Sequence, residues 1–260
     1  MDAILATAAE HDLLVIEDAA QALLSTWRGR KLGTLGHLGC FSFHETKNII
    51  SGEGGALMVN RPDLAERAEI VWEKGTNRKQ FFRGQVDKYT WVDLGSSFLP
   101  GEIVAAFLYA QFENARQIID RRREISDLYR SLLGGLEAAG KVRLPFFPDE
   151  AGVNGHIFYL VCPDLATREA LRARLAAGGA QAVFHYVPLH SSPAGRRFGR
   201  PAGDLPVTDR ISDTLLRLPM FYSMTDADVR RVADQIGRAH VCTPVTEYEL
   251  VFRLLLEKKK

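Results

Sequence analysis

CFSFHETKNIISGEGGALMV, residues 40–59, reads as a strand, a tight loop and a second strand. Its ends are apolar and small. The one lysine in it, Lys47, sits among His44, Glu45, Thr46 and Asn48, and Gly52, Gly54 and Gly55 follow. Those glycines let the backbone turn tightly beside whatever the loop faces. Two readings compete for Lys47. It is a solvated charge on a surface loop, or it is a lysine held between buried strands to reach a buried electrophile.

Working outward, LLVIED (13–18) is a continuous apolar run ending in acid, the pattern of a strand buried on both faces of a parallel sheet. Asp18 then emerges at the strand's carboxyl end, where open α/β sheets place their ligands. A structural cap is the alternative reading of this residue. Before it, ILATAAEH has the spacing of an amphipathic helix with no cap or leader, as if the chain began inside a domain. After it, AAQALLS fits a helix or a loop, and STWRGRKLGTLGHLG a turn-rich excursion. RPDLAERAEIVWEKG is expected to be helical, with proline near its start. TNRKQFFRGQVDKYTWVDLGSSF (76–98) is a long polar and aromatic segment, and its aromatics argue for function over disorder.

From Pro100 to Ala139 the pattern is helical, one or two helices connecting two lobes. Then β and α alternate again: HIFYLVC, the helix TREALRARLAAGG, QAVFHYV, the loop PLHSSPAGRRFGRPAGDLP, and a helix from Thr225 with Asp228 completing its capping box.

The bulk numbers narrow the classes. The 260 residues suffice for one large or two modest domains. At 46% hydrophobic and 25% charged, the composition is that of a soluble globular protein. A net charge of +1 gives no electrostatic case for nucleic acid or an anionic membrane. Cys40, Cys162 and Cys242 share no close spacing, which argues against disulfides or a metal site and fits the cytoplasm.

Asp18, Gln21, Ser42 and Lys47 together form the set that pyridoxal 5'-phosphate requires. Its aldehyde takes a lysine amine. Its ring nitrogen takes a carboxylate, because the protonated ring is the electron sink. Gln21 can donate to the phenolic oxygen, and Ser42 can serve the phosphate.

EDAAQ (17–21) and GRKLGTLGHLGCFSFHETKNIISGEGG (29–55) resemble the DegT-type sugar-nucleotide aminotransferases, a branch of the fold-type I pyridoxal phosphate enzymes. EKGTNRKQFFRGQVDKYTWVDLGSS, VFHYVPLH and LLRLPMFY are similar to one subgroup, the TDP-4-keto-6-deoxyglucose transaminases. The resemblance runs from residue 1 to about 235. It implies that Asp18 pairs with the ring nitrogen, Gln21 touches the ring oxygen, Ser42 binds phosphate and Lys47 is the covalent anchor. It implies an α/β fold: a truncated large domain with a mixed, mainly parallel sheet in residues 1–115, then a long helix and small α/β domain in 116–235.

The activity implied is transfer of an amino group, with glutamate as donor, to the 4-keto group of dTDP-4-keto-6-deoxy-D-glucose for surface polysaccharide. The implied partners are the nucleotide sugar, the amino acid and, at full length, a second subunit. An inactive fragment or a non-catalytic sugar-nucleotide-binding relative is the alternative, although such relatives typically lose the lysine that is present here. Family members carry well over a hundred more N-terminal residues, including a phosphate-binding helix start and an aromatic that stacks on the cofactor. Ser97 stands where most of the family has an asparagine that reaches the partner subunit's phosphate.

Tyr186 and His190, in FHYVPLH, are candidates to touch the sugar or its diphosphate; packed, hydrogen-bonded aromatics are the other reading, favoured for His185. His44 is expected to make a local loop contact. Asn77, Arg78 and Arg83 suit a diphosphate or plain solvent. Arg121 to Glu124 (RRRE) reads as a solvated helix face.

The end of the chain, 236–260, reads differently. Its first eleven residues match, but for one letter, the translation of a common DNA-sequencing adapter, with Cys242 at the stop codon. This tail is expected to be non-native, against the alternative of a real amphipathic tail.

Overall fold

The computed structural model describes residues 1–241. The expected non-native tail lies outside them from residue 242; residues 236–241 continue the last helix. The chain falls into two compact units, residues 1–123 with 147–156, and residues 124–146 with 157 onward.

The first unit begins with α1 (Asp2–Glu10), as its spacing predicts. Then come β1 (Ile16–Asp18), the short hairpin β2 (Thr26–Trp27) and β3 (Arg30–Lys31), and β4 (Leu38–Ser42) with β5 (Gly55–Val59). Helices α2 (Ala65–Trp72), α3 (Arg78–Phe82) and α4 (Glu102–Glu113) follow, then the start of α5 (Ala115–Ala138) and, later, β6 (Ala151–Gly152). One sheet has the order β1-β4-β5, parallel between the first pair and antiparallel between the second. The other, β3-β2-β6, is antiparallel.

The strand expected over residues 13–18 is shorter and more open than its sequence suggests. Only Ile16–Asp18 is paired, and Leu14 and Ile16 are 54% and 62% exposed. Among the described residues β1 pairs with β4 alone, which leaves its other edge unpaired, and none of them buries Leu14 or Ile16. Helix α4 is similar: it is apolar in sequence, yet none of its residues is buried.

Residues 76–98 are not a plain loop. They contain α3 and close on themselves through bridges between Glu73 and Ser97 and between Thr76 and Trp91. Gly75 makes this possible: its φ is +76°, and a Cβ there would collide with the Asp93 carbonyl. Pro100 to Ala139 resolves into two helices, with Asn114 between them.

The reading of Arg121–Glu124 as a solvated face is corrected for two arginines. Arg122 is buried, and donates from Nε to Gly155 O (3.0 Å) and from Nη2 to His156 O (2.6 Å). Arg123 Nε donates to Val153 O at 2.6 Å. Residues 153–156 form no regular ladder, so their carbonyls need side-chain donors, and α5 supplies those of Val153, Gly155 and His156.

Glu17 is the other tether in this unit. Its carboxylate accepts from Gly33 N (2.8 Å), Leu35 N (2.6 Å) and Gly36 N (2.7 Å). The Gly33–Gly36 turn is thereby locked under β4, where a Cβ on Gly39 would fall onto Gly33 O. Glu17→Ala should therefore destabilise the first unit by about 2 kcal/mol, since three charge-assisted bonds are lost and their donors left to water. Urea unfolding followed by tryptophan fluorescence reads this unit alone, because Trp27, Trp72 and Trp91 are the chain's three tryptophans. An unchanged midpoint would show that the turn holds without Glu17.

The second unit comprises β7 (Tyr159–Val161), α6 (Leu165–Ala177), β8 (Val183–Phe184), α7 (Pro193–Phe198), α8 (Pro206–Thr214), β9 (Leu215–Arg217) and α9 (Asp226–Val241), with the rest of α5. Its sheet has the order β7-β9-β8 and is antiparallel. Ile125, Tyr129 and Leu133, one helical turn apart on α5, meet Leu160, Leu175 and Leu216 in a continuous core. Tyr129 stacks on Phe158 at 5.2 Å, and its hydroxyl donates to Pro219 O at 2.9 Å. Burial, then the charge of Asp228, pushes this phenol up and keeps it a donor.

The capping box at α9 forms as its sequence predicts: Asp228 N donates to Thr225 Oγ1 (3.2 Å), and Thr225 N donates to Asp228 Oδ2 (3.1 Å). The strand expected in QAVFHYV ends early, at Phe184, because Tyr186 adopts a left-handed backbone with φ +62°.

No helix among the described residues is long and apolar enough to cross a membrane.

Candidate active site

The parallel pairing of β1 with β4 sets the geometry. Asp18 ends β1 and lies opposite Cys40; Ser42, two residues further, ends β4. Side chains alternate along a strand, so Asp18, Cys40 and Ser42 share one face at the carboxyl end of the sheet. Sequence reasoning places Asp18 at a strand end, and the pairing adds Ser42 on the same face.

Lys47 follows in the loop that returns to β5. That loop is tightly bonded: Phe43 N donates to Gly54 O (2.8 Å), Glu45 N to Gly52 O (2.9 Å), Ser51 N to Phe43 O (2.7 Å) and Lys47 N to His44 O (2.9 Å). Gly52 and Gly54 take positive φ, +80° and +157°, as the turn requires. His44 makes the expected local contact, its Nδ1 lying 2.8 Å from Thr46 Oγ1. Ile49, just past the lysine, is buried and plugs the loop into a small core with Ala115 and Ile118.

A second anchor was not legible in the sequence. Asn48 is buried; its Nδ2 donates to Asn154 O (3.0 Å), and its Oδ1 lies 2.9 Å from His156 Nδ1. Asn154, itself buried, donates from Nδ2 to the carbonyls of Gln21 and Leu23, each at 2.9 Å. One asparagine thus ties the turn after Asp18 to the loop that carries Lys47. It lies 106 residues from Asn48, and no local pattern marks it.

The four candidate side chains leave their chemistry unspent. Asp18 Oδ1 accepts from Ala20 N at 3.1 Å, and its other oxygen has no partner among the described residues. Ser42 Oγ accepts from His44 N at 3.3 Å, which leaves its proton free. The Lys47 amine, half-buried, and the Gln21 amide enter no hydrogen bond or ion pair among the described residues. A free amine, a carboxylate, an amide donor and a hydroxyl at one end of a sheet fit pyridoxal phosphate.

The remaining candidates are engaged in their own ways. Asn77 Oδ1 accepts from Thr90 N (2.8 Å), Arg78 lies 3.6 Å from the buried carboxylate of Glu73, and Arg83 pairs with Glu69. In the second unit, His190 Nε2 lies 3.0 Å from Asp209 Oδ1, a partner the sequence did not suggest. Tyr186 is exposed; its carbonyl accepts from Ser212 Oγ at 2.8 Å, and its ring lies 5.1 Å from that of His185.

Comparison with known proteins gives a consistent answer. Residues 1–237 match the model of the DegT/DnrJ/EryC1/StrS aminotransferase family. The chain is 31% identical over 235 residues to a dTDP-4-dehydro-2,3,6-trideoxy-D-glucose 4-aminotransferase of Saccharopolyspora spinosa, covering 88% of the chain and 59% of that protein. It is 31% identical over 241 residues to a UDP-N-acetyl-3-dehydro-alpha-D-glucosamine 3-aminotransferase of Acidithiobacillus ferrooxidans, covering 92% and 60%. The crystal structure of S. venezuelae DesV in complex with a ketimine intermediate superimposes with a TM-score of 0.80 at 31% identity, covering 92% of this chain and 61% of that one. The chain therefore spans about three-fifths of the length of the relatives it matches.

Proposed function

The chain belongs to the DegT/DnrJ/EryC1/StrS aminotransferase family, and from that premise we propose that it serves amino-group transfer to a nucleotide-linked keto sugar with pyridoxal 5'-phosphate as cofactor. The observation that carries this reading is the register of β1 with β4. It sets Asp18 and Ser42 on one face at one end of the sheet, directly before the loop of Lys47, which has no partner among the described residues. Relatives named for a dTDP sugar aminated at C4 and a UDP sugar aminated at C3 support the substrate class. Within that class the proposed acceptor is dTDP-4-keto-6-deoxy-D-glucose, the donor glutamate, and the product a surface-polysaccharide precursor made in the cytoplasm.

When bound, pyridoxal phosphate supplies the electron sink that makes the amino acid's α-proton removable. Lys47 Nζ would be the point of covalent attachment and, as a free amine, the base that would take the proton from the substrate carbon and return it. The Asp18 carboxylate accepts a hydrogen bond from the ring N–H and keeps that nitrogen protonated. The Gln21 amide donates to the phenolic oxygen, and the Ser42 hydroxyl to the phosphate. Tyr186 and His190 are assigned to the sugar nucleotide. Residues 1–115 belong, in this reading, to the cofactor-binding domain and 116–235 to the small domain. The unburied apolar surface of α4 supports a covering subunit, and hence a homodimer.

A second reading is favoured by the same exposed surface on α4 and β1: the chain by itself holds no cofactor.

The test is turnover. With pyridoxal phosphate, glutamate and the 4-keto sugar nucleotide, 2-oxoglutarate should accumulate. Asp18→Asn should lower the rate about a hundredfold or more, since a neutral amide cannot stabilise the charge on the ring nitrogen. Cofactor binding without any product from this sugar would remove it as substrate, and full activity in Asp18→Asn would remove Asp18 from its role.

A further inference from the structure

The chain has five asparagines, Asn48, Asn60, Asn77, Asn114 and Asn154, and Asn154 is the one followed by glycine. That pair is open to a reaction that needs no enzyme. The backbone nitrogen of the following residue attacks the side-chain amide carbon, and glycine, with no Cβ, leaves the approach clear. A bond forms between Gly155 N and Asn154 Cγ and the Cγ–Nδ2 bond breaks. The nitrogen departs as ammonia, carrying the proton that Gly155 N gives up. Water then opens the cyclic imide at either carbonyl. The products are aspartate and its isomer, whose main chain runs through Cγ and is one carbon longer.

The fold supplies two of the three requirements. The Gly155 N–H donates to no acceptor among the described residues, so the attacking nitrogen is uncommitted. His156 N donates to Asn154 Oδ1 at 3.1 Å, which draws electrons from the amide carbon and favours the oxyanion formed on attack. The third requirement is blocked. Nδ2, the group that must leave, donates to the carbonyls of Gln21 and Leu23, each at 2.9 Å, and Asn154 is buried. Its departure would strand both acceptors unless the 21–23 turn first lifts away. The same fold keeps the reactive pair in place. Asn154 is needed for its two donors, and Gly155 has a φ of +60° with the Arg122 carbonyl 2.6 Å from where a Cβ would stand.

We propose that Asn154 is a gated deamidation site: it converts when the 21–23 turn opens, and conversion retires the cofactor site around Lys47. Aspartate accepts but does not donate, so the ties to Gln21 and Leu23 are lost. The longer isomer also shifts His156 from its bond to Asn48. The gate turn follows Asp18 and carries Gln21, so a cofactor held by Asp18, Gln21 and Lys47 keeps it shut. This coupling rests on the pyridoxal phosphate reading; the gate itself does not.

The full chain would be aged in mildly alkaline buffer, folded and in urea, and its asparagines followed by peptide mass spectrometry. An Asn154→Asp chain marks the aspartyl peptide, and its isomer elutes apart from it. In urea Asn154 should convert before the other four asparagines. In the folded chain it should convert about a hundredfold or more slowly, the scale of an opening that leaves two buried acceptors unpaired. Pyridoxal phosphate should slow it further, and the converted chain should bind the cofactor more weakly by visible absorbance. Folded conversion at the unfolded rate, another asparagine converting first in urea, or an Asn154 that survives intact until the urea transition would each overturn the gate. An unaltered rate in a chain whose visible band shows cofactor at Lys47 would overturn the coupling. Absence of that band in the fresh parent chain marks failure of the cofactor reading, and the gate is still decided by the folded and unfolded rates.

Discussion

Lys47→Ala should abolish the visible absorbance that pyridoxal phosphate acquires on bonding to a lysine, and with it all turnover. The expectation follows from what surrounds the amine. Its loop is closed by four backbone bonds and plugged by Ile49, so the side chain starts from a fixed backbone. The amine itself has no partner among the described residues, so nothing must be broken before it reacts. Alanine removes the atom assigned both to attack the aldehyde and to move the α-proton. Loss of the covalent route and of the base should together cost several orders of magnitude in rate. A band in the parent and none in the variant would establish Lys47 as the anchor. Equal bands would move the anchor to another lysine. No band in either would support the reading in which the chain alone holds no cofactor.

The second large effect is expected at a residue with no chemistry of its own. Asn154→Ala should destabilise the first unit by about 2–4 kcal/mol. The substitution leaves the carbonyls of Gln21 and Leu23 and the N–H of His156 without their partners, in surroundings only partly open to water. Urea unfolding by tryptophan fluorescence again isolates this unit. The same variant should bind pyridoxal phosphate more weakly although it touches none of it, because the Asp18–Gln21 turn loses its tie to the Lys47 loop. Asn154→Asp separates shape from bonding: it keeps the volume and the acceptor but loses both donors, and should behave like the alanine. Wild-type stability in either variant would show that the two segments are held apart from Asn154.

Much of this was legible from the chain itself. The helical spacing of α1, α6 and α9, the glycine-rich return after Lys47 and the capping box at Thr225 are local, and the backbone follows them. EDAAQ and the stretch around Lys47 carry the family resemblance, since cofactor chemistry needs those residue types at those strand ends. Two kinds of feature were not legible. The first is burial: LLVIED reads as a doubly covered strand, yet Leu14 and Ile16 are open, because a pattern records which side chains are apolar but not whether a layer is present to cover them.

The second is long-range pairing. A run such as RRRE reads as solvated until a segment some thirty residues on presents bare carbonyls to Arg122. Glu17 sits unremarked beside Asp18 until the Gly33–Gly36 turn folds onto it. Asn154 gains its meaning from partners that the fold brings to it in space. The sequence by itself determined the elements and the reactive residues, because periodicity and cofactor chemistry act over a few neighbouring positions. Only the tertiary structure decided which groups are tied together and which are left free, because a hydrogen bond is set by distance and direction between atoms the chain keeps far apart.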